Sequence, residues 1–143
     1  MSNSTMRRVL FCLAAVSVLA LTACNGVKPS QGHAQDLTLY DFSSAIRWGD
    51  FDKAYDFVDP KTKQEHPLSD IDRARYKQVE VAGYTVVSSL NGKDSIDQQV
   101  QLSLVNRNTQ VGRSMVYHEH WRWDDAQKKW WLTSGLPDIS PQE

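Results

Sequence analysis

The spacing of apolar residues changes at Tyr76, and this change constrains the fold more than any other feature of the sequence. Before Tyr76, apolar residues recur every three to four positions, as along one face of a helix. After it they recur every second position, as along one face of a strand, most clearly at Val100, Leu102 and Leu104. Helices followed by neighbouring strands predict an α+β domain, with the helices packed on one face of an antiparallel sheet.

The helical part is predicted to begin at Asp36 and to break at Gly49, because glycine commonly ends helices. Asp50 can cap the next helix. We expect the Asp59-Pro60 pair to close that helix, because a residue before proline is pushed out of the helical region. Two later residues at capping-box spacing predict a further short helix: Ser69 and Asp72.

Three to four strands are predicted after Tyr76. The alternation changes parity across Ala82-Gly83, which is typical of a β-bulge. Asn91-Gly92 is a strong turn signal, and residues 106–110 and 124–129 form two further turns. The predicted strand segments are, in chain order, Val79 to Val86, Gln99 to Leu104, Val111 to Trp123 and Trp130 to Leu132.

Two segments resemble those of nuclear-transport-factor-2-like domains. Residues 45–55 (AIRWGDFDKAY), followed by Asp59-Pro60, look like the opening helices of that family. Residues 121–132 contain the W…D…W.L pattern that is frequent in its final hairpin. The resemblance covers roughly residues 36–139 and implies a cone-like domain with a curved sheet of three to four strands. Members include enzymes, ligand binders and assembly modules, so the resemblance does not define an activity.

The first 23 residues read as a targeting segment. Arg7 and Arg8 precede an apolar run over residues 9–20, which is shorter than the ~20 residues needed to span a bilayer and matches a signal peptide. The run ends at Leu21-Thr22-Ala23-Cys24, which resembles the lipobox of bacterial lipoproteins. That resemblance implies cleavage before Cys24 and modification of its thiol with diacylglycerol, with a further acyl chain such as palmitate. Translation could start at Met1 or at Met6.

The predicted organisation is therefore a signal peptide over residues 1–23, Cys24 with a flexible tether over residues 24–35, one domain over residues 36–139 and a tail over residues 140–143. By the same resemblance, Asn25 after the lipidated cysteine favours the outer membrane, facing the periplasm. Removing the signal peptide leaves 14 basic and 17 acidic residues, a formal charge of −3. This balance gives no indication of a nucleic-acid partner.

Four of the five tryptophans fall within residues 121–131. Trp121 and Trp123 lie on one face of their strand, where core packing is the favoured interpretation. Trp130 and Trp131 are adjacent, so they point to opposite faces. We expect one of the two to lie on the less buried face, where it could contact a ligand or partner together with Tyr117 and Trp121.

His118 and His120 share a strand face with Val116 and Arg122. A His-x-His pair can supply two metal ligands, but no third ligand stands at metal-site spacing. A polar face turned to solvent is the favoured interpretation, and a partner or second copy on this face is the alternative. The sequence contains no phosphate-binding glycine loop and no nucleophile elbow, and it predicts no cofactor.

Glu119 interrupts the mostly apolar face that carries Tyr117 and Trp121. One hypothesis places it in a pocket, partly desolvated with a raised pKa, as an acid or base. The favoured alternative is an ion pair with Arg113 or Arg47, or an exposed strand end. The favoured function is a lipid-anchored, non-enzymatic binding or accessory module. A small-molecule-binding, hydrolase-like or isomerase-like protein that uses Glu119 is the alternative.

Overall fold

The structure is a computed structural model and describes residues 30–140, so Cys24 and the predicted signal peptide lie outside the described residues. Four helices precede four strands within this range. The helices are α1 (Gln31–Arg47), α2 (Phe51–Tyr55), α3 (Pro60–Glu65) and α4 (Asp70–Lys77), and the strands are β1 (Val79–Asn91), β2 (Ser95–Asn106), β3 (Gly112–Asp124) and β4 (Lys129–Leu132). The strands form one antiparallel sheet in the order β1-β2-β3-β4. The predicted α+β class is confirmed.

Helix α1 begins five residues before the predicted start at Asp36, because Ser30 caps it. The Ser30 hydroxyl accepts the backbone N–H of His33 at 3.3 Å. Residues 31–35, predicted as tether, are therefore helical. The predicted break at Gly49 is confirmed, since Gly49 has a φ of 71° and follows the last turn. Its N–H donates to Ile46 O at 3.0 Å, and the next N–H donates to Ala45 O at 2.9 Å, as in a Schellman motif.

The helix that Asp50 caps ends at Tyr55, before the predicted close at Asp59-Pro60, and these two residues start helix α3, which was not predicted. Pro60 occupies the first turn, where its missing N–H costs nothing. Asp59 caps that turn by accepting the N–H of Lys61 at 2.8 Å. The predicted capping box of Ser69 and Asp72 is confirmed at the start of α4.

The sheet contains the predicted bulge between Val81 and Gly83, and a second one between Val86 and Ser88 that the pattern did not indicate. The other side of the sheet ends at β4, whose outer edge is covered. The N–H of Asp59 donates to Leu132 O at 2.8 Å, and the N–H of Leu132 donates to Phe57 O at 2.9 Å. Residues 57–59, called the strap below, therefore protect this edge.

The core lies between α1 and one face of the sheet. Phe42 of α1 meets Trp121 edge to face, with ring centroids 5.0 Å apart. Trp130 and Trp131 lie on opposite faces of the sheet as expected, but the one on the outer face is not exposed, since the two are 1 % and 8 % exposed. Trp131 points away from the helices, but the Lys129 amine lies 3.9 Å from its ring centroid. Within residues 30–140, no helix is long and apolar enough to cross a bilayer.

Candidate functional site

Glu119 lies in the core on the helix-facing side of β3, with 0 % of its surface exposed. Tyr84 of β1 donates its hydroxyl to one carboxylate oxygen at 2.6 Å. The indole N–H of Trp121 donates to the other oxygen at 3.1 Å. These three residues are called the acid cluster below. Both oxygens of the carboxylate are engaged, which satisfies a polar group that would otherwise be costly to bury.

Burial sets the protonation behaviour of the acid cluster. Desolvation raises the pKa of Glu119 above its ordinary value of 4.5, and the bonds from Tyr84 and Trp121 offset only part of this rise. Burial, together with the adjacent Glu119, also raises the pKa of Tyr84. The phenol therefore keeps its proton and acts as a donor. The position of Glu119 is therefore that of a desolvated acid, and its burial favours the protonated form.

The expected ion pair of Glu119 with Arg113 or Arg47 is wrong. Arg113 donates instead to backbone carbonyls of the C-terminal segment, at Ile139 and, at 3.1 Å, Ser140. The Arg47 guanidinium lies over the Tyr84 ring, 5.4 Å from its centroid. The expected exposed strand end is wrong as well, because Glu119 is fully buried.

The other residues singled out from the sequence lie apart from the acid cluster or are already engaged. Tyr117 is buried and donates its hydroxyl to Gly135 O at 2.6 Å. His118 and His120 are exposed on the opposite face of the sheet, and the His120 ring pairs with Asp97. The part of the chain that the structure describes contains no group of three or more His, Cys, Asp or Glu placed to bind a metal.

A solvent-open cleft lies between the C-terminal half of α1 and the first residues of β1. Its volume is about 420 Å³. It is called the α1–β1 cleft below, and its main lining residues are Tyr40, Ser44, Arg47, Trp48, Val81 and Tyr84. Tyr84 also belongs to the acid cluster, so the buried carboxylate fixes one wall of this cleft.

Two large aromatic side chains that border the cleft are exposed to solvent. Trp48 is 85 % exposed and Tyr40 is 68 % exposed. Trp48 is the C-cap of α1, directly before the turn at Gly49, so it projects beyond the face of the helix that packs on the sheet. Arg47 stands beside it and has no acidic partner among the residues that the structure describes. The cleft thus combines flat apolar surface with an available cation.

A second cleft, of about 390 Å³, lies between α4 and the C-terminal segment. Several of its polar groups already form hydrogen bonds within the protein. The hydroxyl of Tyr76 donates to Pro137 O at 3.0 Å, and the hydroxyl of Tyr55 accepts the N–H of Leu68 at 3.2 Å. Because the α1–β1 cleft leaves Arg47 available, it is the stronger candidate for a binding site.

Neither Trp48 nor Tyr40 was identified as a site residue from the sequence, because both fall within the helical pattern. One signal could have indicated Trp48, namely its place directly before the glycine that ends α1. A side chain at a helix C-cap lies past the last packed turn, so a tryptophan there is a candidate for exposure.

Comparisons with known proteins find fold similarity without a family. No protein-family model matches the sequence, and no curated protein matches it significantly. A solved structure of a SEC-C motif containing protein from Rhodopseudomonas palustris is 15 % identical, with a TM-score of 0.55 over 71 % of this chain and 76 % of that chain. A putative NTF2-like transpeptidase from Campylobacter jejuni is 17 % identical, with a TM-score of 0.42 over 69 % of this chain and 95 % of that chain.

The first similarity shows a shared fold and nothing about activity, and the second score is too low to carry an argument. The fold and the site together define an α+β domain with helices on a four-stranded antiparallel sheet and an open cleft beside its first strand.

Proposed function

We propose that this protein is a lipid-anchored protein of the bacterial cell envelope that binds a partner through the α1–β1 cleft. One observation carries the binding role: an exposed tryptophan, Trp48, stands beside the available cation of Arg47 at the mouth of the cleft. Aromatic and arginine side chains of this kind dominate the energy of many interfaces. A partner with an aromatic or apolar group and a nearby carboxylate would suit both side chains.

The anchor belongs to the same proposal and rests on the lipobox that ends at Cys24. Two or three acyl chains hold a protein stably on a membrane, because each buried CH₂ contributes ~0.8 kcal/mol. Asn25 supports placement in the outer membrane, facing the periplasm.

A catalytic role for Glu119 has less support. Both of its oxygens are bonded, and the side chain has no exposed surface. A substrate would have to displace Tyr84 or Trp121 before it could exchange a proton with the carboxylate. We therefore assign Glu119 the role of positioning Tyr84 in the cleft wall.

A partner or a second copy on the outer face of the sheet stays a prediction. Two of the four residues on that face are already paired, His120 with Asp97 and Arg122 with Asp59. Val116 is 57 % exposed and is the apolar member of the face. The α1–β1 cleft combines a larger exposed aromatic surface with an available charge, so it is the better-supported site.

The anchor is tested by growing cells with an alkyne analogue of palmitate and measuring its incorporation into the purified protein. The wild type is expected to take up the label, and Cys24→Ser is expected to lose it. Cys12→Ser is the matched control and should label normally, because Cys12 lies inside the predicted signal peptide. Labelling of Cys24→Ser at the wild-type level, or an unlabelled wild type, would contradict the anchor.

A further inference from the structure

We infer that the end of the domain where α1 begins rests on the lipid bilayer, with Leu90 and Lys93 against the phospholipid headgroups. This inference rests on the proposed anchor at Cys24. It adds an orientation, because it specifies which surface of the domain meets the membrane and which surface is presented to a partner.

The chain enters the domain beside the turn that joins β1 to β2. The side-chain amide of Gln31 donates to Lys93 O at 2.7 Å and to the Asp94 carboxylate at 3.3 Å. The indole N–H of Trp130 donates to Gln31 O at 3.3 Å. These bonds fix the first turn of α1 at the end of the sheet where the β1–β2 turn lies. The N–H of Trp123 donates to Asp94 O at 2.9 Å, which places the β3–β4 turn at the same end.

The connection between this end and the anchor is short. Ser30 caps α1 and follows Cys24 by six residues. Six residues span at most about 21 Å. Helix α1 contains 17 residues and is therefore about 25 Å long. The connection is shorter than the helix, so the end where α1 begins stays close to the headgroups.

The groups at this end suit a phospholipid surface. Leu90 is 71 % exposed close to the turn, and Lys93 is exposed and forms no salt bridge in the described range, its charge acting on Asp125 only through space. The nearby acids are engaged, since Asp94 accepts from Gln31, and Asp125 accepts from Lys128 at 2.6 Å. An apolar side chain beside an available ammonium group matches the boundary between acyl chains and phosphates.

The α1–β1 cleft lies toward the opposite end of α1, near the start of β1. With the turn of β1 and β2 on the bilayer, Trp48 is held roughly one helix length, about 25 Å, above the headgroups. The domain then presents its cleft to the periplasm rather than to the lipid.

The test uses the mature lipidated protein on vesicles of phosphatidylethanolamine and phosphatidylglycerol. A single cysteine is introduced as Leu90→Cys or, at the opposite end of the sheet, as Val111→Cys, which is a matched control because Val111 is 63 % exposed. The lipid occupies the thiol of Cys24, so the introduced cysteine is the free one. The rate of modification by a bulky polyethylene-glycol maleimide is compared with that of the unanchored mature chain carrying Cys24→Ser.

Anchoring is expected to slow modification several-fold at position 90 and to leave position 111 unchanged. If anchoring changes the rate by the same factor at the two positions, with the full lipid mass present by intact mass spectrometry, the bilayer-facing surface is overturned and the anchor stands. A missing lipid mass would overturn the anchor and the orientation together.

Discussion

Glu119 holds Tyr84 in place from inside the core, and Tyr84 in turn forms one wall of the α1–β1 cleft. The carboxylate accepts the Tyr84 hydroxyl at 2.6 Å and the Trp121 indole N–H at 3.1 Å. The Arg47 guanidinium lies over the Tyr84 ring, 5.4 Å from its centroid. A buried acid therefore determines the geometry of a binding surface that it does not itself reach.

Glu119→Gln is expected to change the free energy of unfolding by less than about 1 kcal/mol at neutral pH. The amide oxygen of glutamine can accept from Trp121, and its NH₂ group can donate to the Tyr84 oxygen, so both contacts can be kept. Glu119→Ala leaves the Tyr84 hydroxyl and the Trp121 indole N–H without their acceptor and creates a cavity, so it should cost about 3 kcal/mol. Denaturant titration of the three proteins measures the difference, and equal stabilities for the alanine variant and the wild type would contradict the structural role.

The wild type and Glu119→Gln also allow a test of the pH dependence of stability. The pKa of Glu119 is raised in the folded state above its ordinary value of 4.5, so the unfolded chain ionises first as the pH rises. The wild type is therefore expected to lose stability relative to Glu119→Gln above about pH 4.5, until the folded-state carboxyl has ionised. Unfolding titrations from pH 4 to 8 measure this trend, and a gain in relative stability over that range would contradict it.

For single residues, the sequence predicts that Glu119 interrupts an apolar strand face, and the raised pKa of Glu119 follows if that face is buried. The partners of the acid could not be predicted. Tyr84 lies 35 positions from Glu119 in the chain and on a strand that is not its neighbour. Their contact depends on a bulge and on the register of two strand pairs, and alternation alone does not determine either.

The two edges of the sheet are protected from pairing with another chain in different ways. The outer edge of β4 is covered by the strap of residues 57–59, which bonds to Leu132. Strand β1 lies at the other edge and carries two bulges. Bulges bend a strand and reduce its ability to pair with another chain, so both edges are protected against uncontrolled association.

Asp59 joins the strap to helix α3 and strand β3, so its substitution tests how these elements are held together. Its carboxylate caps α3 through Lys61 N–H at 2.8 Å and accepts from Arg122 of β3 at 2.5 Å. Burial alone would raise the pKa of Asp59, but these bonds outweigh it, and the pKa lies below the ordinary 3.8.

Asp59→Ala is expected to lower the free energy of unfolding by about 2 kcal/mol, because a cap and a charge-assisted bond are lost together. The exposed Asp56→Ala should stay within about 0.5 kcal/mol of wild type. Since the pKa of Asp59 is lowered by folding, its contribution is present above pH 3.8 and disappears as the pH falls below it. Equal effects of the two substitutions in thermal or denaturant unfolding would contradict this role of the strap.

Most elements could be predicted from periodicity and turn residues, whereas two boundaries could not. Helix α1 starts at Gln31 although the nearby Pro29 and Gly32 disfavour a helix in the sequence. It starts there because Ser30 caps it and because the Gln31 side chain and carbonyl are hydrogen-bonded to residues of the sheet and its first turn. Helix α3 begins at Pro60, which local chemistry permits equally as a stop or a start. In both cases tertiary contacts decide, and these are not readable from local spacing.

The whole molecule has two ends with different chemistry. The start of α1, the β1–β2 turn and the β3–β4 turn lie at one end, and Ser30, which caps α1, follows Cys24 by six residues. The α1–β1 cleft lies toward the other end, with Trp48 at its mouth. This arrangement separates the proposed attachment to the membrane from the proposed attachment to a partner.

The most direct measurement is site-specific photo-cross-linking in intact cells, followed by detergent extraction and mass spectrometry. Trp48 is replaced by benzoylphenylalanine, and replacement of Val111, which is also exposed, serves as the control position. A single envelope protein is expected to cross-link from position 48 and not from position 111, and Arg47→Gln should reduce its yield. The absence of a cross-link from position 48, or the same products from both positions, would contradict a partner-binding role for the cleft.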